Sequence, residues 1–236
     1  MRTFWVPVWL LAVSGPAAAS PVWLAGGEVA DQSAYAYAGA VAPLGAGSRL
    51  GDGWFQRYWV DWLRYTYDGA GSEVTARAPG GEVAAGYQWP LREGGLEVSA
   101  GAVYRKTGLH PAAAESPVEG PRWGAKLQGA AWTRRGPWRF RTIANYILGT
   151  KAYWGRVRTY RGTGASFWPG VEAVALGDPE YDAVQLGALL GRIPLGSARH
   201  LTLKAGVRLD REGGQAAYAG AELVWGGGPA PGSRRP

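Results

Sequence analysis

The feature that most constrains this chain is a period-two alternation that recurs from near its start to near its end. In Leu96–Lys106, Leu96, Val98, Ala100, Ala102 and Tyr104 share one parity, while Glu97, Ser99, Gly101 and Arg105 share the other. Trp123, Ala125, Leu127, Gly129 and Ala131 are likewise opposed by Arg122, Gly124, Lys126 and Gln128. Such alternation makes strands with one apolar and one polar face. The spacing predicts about twelve of them: Val22–Glu28, Ala34–Val41, Trp54–Tyr67, Val74–Trp89, Leu96–Lys106, Arg122–Trp132, Trp138–Gly149, Tyr153–Tyr160, Phe167–Leu176, Tyr181–Ile193, Leu201–Asp210 and Ala216–Trp225. The parity of Trp54–Tyr67 does not separate cleanly, and Ala78–Gly81 reads as a bulge or small insertion in its strand.

Which solvent the apolar face meets is decided by composition and address. The 236 residues include 13 Trp and 12 Tyr but only 4 Phe and 1 Met. Trp and Tyr serve cores in soluble proteins but gather at the lipid–water boundary in membrane proteins. A mean hydropathy near zero excludes a bundle of spanning helices and leaves a barrel open, because alternation hides its membrane signal. The first residues read as a secretory signal, with Arg2, an apolar Phe4–Val13 and a small-residue site at Pro16–Ala19, cleaved after Ala19. There is no cysteine, hence no disulfide, no thiolate metal site and no lipid-bearing cysteine. The net charge of +7 comes from Lys and Arg scattered along strands and turns, not from one basic stripe, which argues against nucleic acid.

The expected fold is therefore all-β: a transmembrane antiparallel up-and-down barrel over residues 20–225, after a signal peptide at 1–19 and before a disordered tail at 226–236. Most segments suit the roughly 9–11 residues a tilted strand needs to cross. Trp54, Trp89, Tyr104, Trp123, Trp138, Tyr153 and Trp225 stand near strand ends. With both termini periplasmic, the periplasmic turns are Leu44–Asp52, Leu91–Gly95, Arg134–Pro137, Arg161–Ala165 and Pro194–Arg199. Asp68–Ser72 and the long Gly108–Pro121 connection then lie outside. The address is the bacterial outer membrane.

The opposite parity supplies the lumen candidates: Glu97, Arg105, Lys126, Arg139, Arg141, Arg156, Arg158, Glu172, Lys204, Arg208 and Glu222. These form either a charged track for a glycan or ion, or a self-neutralising network filling a narrow barrel, since buried charges must be paired. Trp54, Trp59, Trp62, Tyr65 and Tyr67 form either stacking platforms for sugar rings or part of an interfacial girdle. A lipid hydrolase needs a Ser–His pair. The chain has only His110 and His200; Ser116 is near His110 in sequence, without an orienting partner. No phosphate loop, metal set or cofactor motif is present in the sequence.

Several short motifs run in order along the chain: Trp23–Gly27, Tyr37–Gly39, Asp52–Trp54 with Arg57, Tyr65–Tyr67, Ala85–Gln88, Gly124–Gln128, Tyr153-Trp154 with Arg156, Gly170–Ala173, Leu176-Gly177 and Leu186–Ala188. In this series the chain resembles the cellulose biosynthesis protein BcsS family, departing from it at Val171, where the pattern has Pro, and at Ala78–Gly81. The resemblance implies an outer-membrane protein linked to cellulose production and export, with outer-membrane lipid, the glucan chain or cellulose synthase components as partners. It implies no catalytic chemistry and no cofactor. A generic small porin or surface-interaction barrel, and an outer-membrane lipid-modifying hydrolase, are the alternative readings.

Overall fold

Every strand hydrogen-bonds to its chain neighbours, and the last closes on the first. The computed structural model describes residues 20–69, 72–111, 119–164, 166–179, 181–211 and 214–226. Its strands are β1 (Val22–Ala30), β2 (Ser33–Pro43), β3 (Gly53–Gly69), β4 (Ser72–Leu91), β5 (Gly94–His110), β6 (Gly120–Arg135), β7 (Trp138–Leu148), β8 (Ala152–Arg161), β9 (Trp168–Gly177), β10 (Asp182–Pro194), β11 (Arg199–Asp210) and β12 (Gln215–Gly226). All pairings are antiparallel, and β1 meets β12 from Val22↔Gly226 to Ala30↔Tyr218. Closure removes both sheet edges, so every ladder is satisfied internally, as a wall without water on its outside requires. The segments assigned to a signal peptide and to a disordered tail lie outside the described residues, except Gly226, which ends β12.

The outer surface is apolar and bounded by aromatics. Val60, Val83, Val98, Leu127, Val157, Val171, Leu186 and Leu203 all point outward and are exposed. At the rim where β1 begins and β12 ends, called the terminal rim, Trp54, Trp89, Trp138 and Phe167 are exposed, and Trp23 stacks on Trp225. Toward the far rim stand Trp62, Trp123, Tyr146 and Tyr153, with Tyr104 against Trp123 at 4.8 Å. Trp54 and Trp62 are eight residues apart on β3, as are Trp138 and Tyr146 on β7. At about 3.3 Å per residue and a tilt of about 35–45°, that spacing puts the two girdles roughly 20 Å apart. This is the make-up of a transmembrane barrel wall, whose apolar band is about 25 Å tall.

Two sequence readings are corrected. Ala78–Gly81 forms neither a bulge nor an insertion: Leu63↔Ala78, Trp62↔Pro79, Asp61↔Gly80 and Val60↔Gly81 keep unbroken register with β3. Only the β4–β5 ladder lapses at Ala78 and Pro79, as a residue without an N–H dictates. The real irregularity is in β10, where the register on β11 shifts between Leu190 and Ile193 and Arg192 takes φ 56°. The connection between β5 and β6 is also shorter than Gly108–Pro121, and no longer than the one between β2 and β3. The asymmetry of the two ends lies in the strands instead. β3 to β6 rise past their neighbours at the far rim, where Tyr65 and Tyr67 pack on buried Val74, Ala76 and Leu109.

Candidate functional site

The strand pleat turns the polar parity of every segment inward, and the structure gathers it into two ionic clusters. The first spans β3 to β6. Arg57 donates to Glu82 Oε1 through Nε (2.8 Å) and Nη2 (2.5 Å), and Lys126 Nζ donates to Glu82 Oε2 at 2.6 Å. Glu97 lies 3.7 Å from Arg57 Nη1 and accepts from Gln88 Nε2 at 2.7 Å. Arg105 pairs with Asp61, which also accepts from Tyr35 Oη at 3.4 Å. Gln88 in turn accepts from the Gly51 N–H at 2.5 Å, tying the β2–β3 connection to the lumen at the terminal rim.

The second cluster reaches across the barrel. Arg158 on β8 grips Glu222 on β12 with both terminal nitrogens (2.5 and 2.8 Å), although the two strands are a third of the ring apart. Its Nε donates to Glu172 on β9 at 2.8 Å, and Arg156 donates to Glu222 at 2.8 Å. Glu172, with a side chain 0% exposed, also accepts from Tyr218 Oη at 2.9 Å. Glu28 accepts from Lys204 (2.6 Å), Gln185 (2.6 Å) and Arg208 (3.3 Å), and Arg208 donates to Ser33 Oγ at 2.5 Å. Tyr37 stacks on Trp59 at 4.6 Å between the two clusters, and Trp59 Nε1 donates to Tyr35 Oη.

Small residues make this filling possible. A Cβ on Gly26 would lie 2.8 Å from the Tyr37 ring carbon Cζ, and one on Gly187 would lie 3.0 Å from Cζ of Tyr218. Each of these two glycines is therefore the seat of a tyrosine that leans over it into the lumen.

All eleven charged residues singled out in the sequence stand on the inward parity. Nine of them join the two clusters. Arg139 does not: it sits at the terminal mouth, donating to the carbonyls of Gly136 and Trp138 and lying 5.2 Å from the Trp168 ring. Arg141 lies deeper, opposite Arg158 on the β7–β8 ladder, exposed to the lumen and without a carboxylate in ion-pair range among the described residues. Sequence reading missed Glu28, Arg57, Asp61 and Glu82, which take part in six of the eleven lumen salt bridges among the described residues. Glu82 was recoverable from its shared parity with Gly86 and Gln88. Arg57 and Asp61 lie in the aromatic run, which the structure resolves: Trp54 and Trp62 face outward, and Trp59, Tyr65 and Tyr67 inward. The two histidines stand at opposite ends of the barrel, His110 closing β5 at the far rim and His200 near the start of β11 at the terminal rim; Ser116 lies outside the described residues. Among the described residues no three His, Asp or Glu side chains gather to hold a metal ion.

The balance of these clusters is nearly neutral. The first holds three acids and three bases, the second three acids and four bases, so the two clusters together with Arg141 carry a surplus of two positive charges. At the centre of each cluster the paired side chains are covered, with Arg57 7% exposed, Glu82 5%, Arg158 5% and Lys204 8%, whereas Arg105 toward the far rim is 38% exposed. Side chains lining an open aqueous channel would not be so covered.

Solved barrels share this architecture. The KdgM porin in complex with disordered oligogalacturonate matches with a TM-score of 0.54 at 9% identity, covering 86% of this chain and 98% of that one. The β domain of the Bordetella autotransporter BrkA matches with a TM-score of 0.53 at 14% identity, covering 89% and 99%. At those identities the likeness is one of fold. No curated protein matches in sequence. The model of the family described as cellulose biosynthesis protein BcsS matches residues 22–225, nearly the whole barrel. The chain belongs to the cellulose biosynthesis protein BcsS family.

Proposed function

We propose that this protein is a non-enzymatic outer-membrane barrel that serves cellulose production as a sealed wall element, not as the conduit for the glucan. The observation that carries this reading is the buried Arg158–Glu222 pair, which joins β8 to β12 across the lumen with Glu172, Tyr218 and Lys204 packed around it. A polymer would have to part bonds between side chains that are almost wholly covered. With the lumen occupied by protein, what remains for a partner is the two rims. Both termini then face the periplasm, where cellulose synthase components can reach the terminal rim, and the raised β3–β6 lip faces outward with the glucan.

The family membership supports the cellulose association. The second reading is a channel for acidic oligosaccharides, favoured by the unpaired Arg141 and by the oligogalacturonate bound to the KdgM porin. Deleting the gene and measuring cell-associated cellulose tests the main reading. Cellulose should fall and return when the wild-type gene is restored, with the protein in the outer-membrane fraction as a band that migrates faster before boiling. Unchanged cellulose in the deletion strain contradicts the association, and a soluble, heat-insensitive band contradicts the address.

A further inference from the structure

On the outward face of the raised wall, three cations stand one pleat above the far aromatic girdle. Arg64 is two residues past Trp62 on β3, Arg77 two residues past Pro79 on β4, and Lys106 two residues past Tyr104 on β5. The registers align them: Trp62 faces Pro79, Arg64 faces Arg77, and Arg77 faces Gly108, two residues from Lys106. All three are exposed, on the same side of the wall as Trp62 and Trp123. Among the described residues none has a carboxylate in ion-pair range. The next acids on this outward register are the opposed pair Asp68 and Glu73, four residues from Arg64 and Arg77 respectively, roughly 13 Å along the strands.

Arg64 directly opposite Arg77 is a like-charge pair, which by itself destabilises a sheet. The rest of the far rim does not share this character. On the opposite side its described charges include Asp31, Asp178, Asp182 and Asp210, and Arg211 there is paired with Asp182 at 3.4 Å. An anion held between Arg64, Arg77 and Lys106 would turn the repulsion into charge-assisted hydrogen bonds. Its height is set by the wall: immediately below are lipid-exposed aromatics, so the anion lies at headgroup level with its apolar part against Val60, Val83 and Trp62.

We propose that Arg64, Arg77 and Lys106 form a binding site for the phosphorylated headgroup of an outer-leaflet glycolipid of the lipid A type. The site rests on the reading that the far rim faces the outer leaflet. It gives the barrel a fixed lipid neighbour on the β3–β5 side, and the arginines supply the forked geometry that phosphate oxygens accept.

The test uses the full-length protein folded in detergent micelles doped with bisphosphorylated lipid A, with bound lipid counted per barrel by native mass spectrometry. Wild type should retain the lipid, and Arg64→Gln/Arg77→Gln/Lys106→Gln should retain roughly 10- to 100-fold less. Arg134→Gln/Arg135→Gln, at the terminal rim, should retain it like wild type. Arg77→Gln alone gives the same comparison should the triple variant not fold, since it removes the middle cation of the three. Equal retention by the variants, equal loss in the terminal-rim control, or equal binding of lipid A stripped of its phosphates overturns the site. So does displacement of the lipid by millimolar inorganic phosphate, which would mark a site for free anions. Absence of the protein from the outer-membrane fraction is a separate failure, of the address and not of the lipid contact.

Discussion

Glu222→Ala will lower the stability of the barrel by about 3–5 kcal/mol, the cost of stranding buried charge. The glutamate accepts three hydrogen bonds, two from Arg158 and one from Arg156, and its side chain is 11% exposed. Removing it leaves Arg156 without its ion-pair partner and Arg158 held by Glu172 alone, in a space with little water to replace the lost oxygens. A solvated lumen would give a different number, because exposed ion pairs are worth about 0–1 kcal/mol. The temperature at which the folded, fast-migrating band converts to the unfolded one separates the two. A large downward shift is expected for Glu222→Ala and little change for Arg49→Ala, whose partner Asp52 lies in an exposed pair. Equal, small shifts in both would mean that the lumen is wet.

Val83→Arg will cost about 2–4 kcal/mol, the penalty for arginine on a barrel's lipid face at the bilayer midplane. Val83 is 55% exposed and faces Tyr58, midway between the rows Trp54↔Tyr87 and Trp62↔Pro79. In a soluble barrel the same substitution would be close to neutral, since it only exchanges an exposed apolar group for a solvated charge. Leu91→Arg, at the end of β4 and beyond Trp89, should cost only about 0–1 kcal/mol as depth decreases. Equilibrium folding of the wild type and both variants into phospholipid vesicles gives the two penalties on one scale. Two small and equal penalties would contradict the assignment of the outer face to lipid.

The wall was readable in the sequence because its signal is local. Leu96–Lys106 and Arg122–Trp132 declare their faces by parity alone, and their closure needs only an even number of antiparallel neighbours. The lumen was half readable. Lys126 and Glu172 could be placed inside, but which carboxylate each base meets depends on stagger around the ring, and Lys126 reaches Glu82 two strands away. The aromatic run defeated parity because both of its faces carry aromatics: Trp54, Tyr58 and Trp62 suit lipid, while Phe55 and Trp59 fill the interior against Gly86 and Gly39. Pro79 misled for a simpler reason. A proline with tolerable geometry can sit in a long strand where one ladder bond is dispensable.

The lip of β3–β6 was invisible to segment counting, because it arises from unequal strand lengths and not from a long loop. It matters to function, since it raises Arg64, Arg77 and Lys106 above the girdle and makes the two ends of the barrel chemically different. At the terminal rim the cations lie against an aromatic ring instead, Arg192 and Arg139 at 4.4 and 5.2 Å from Trp168.

The proposed role as a wall element requires that the paired side chains of the two clusters close the lumen to through-flow. Recording current through the purified protein in a planar lipid bilayer tests it most directly. The account predicts no steady ohmic current for wild type, and a stable conductance once Glu172→Ala/Glu222→Ala removes the carboxylates that hold Arg158 across the lumen. A steady open-channel current through the wild-type barrel would contradict it.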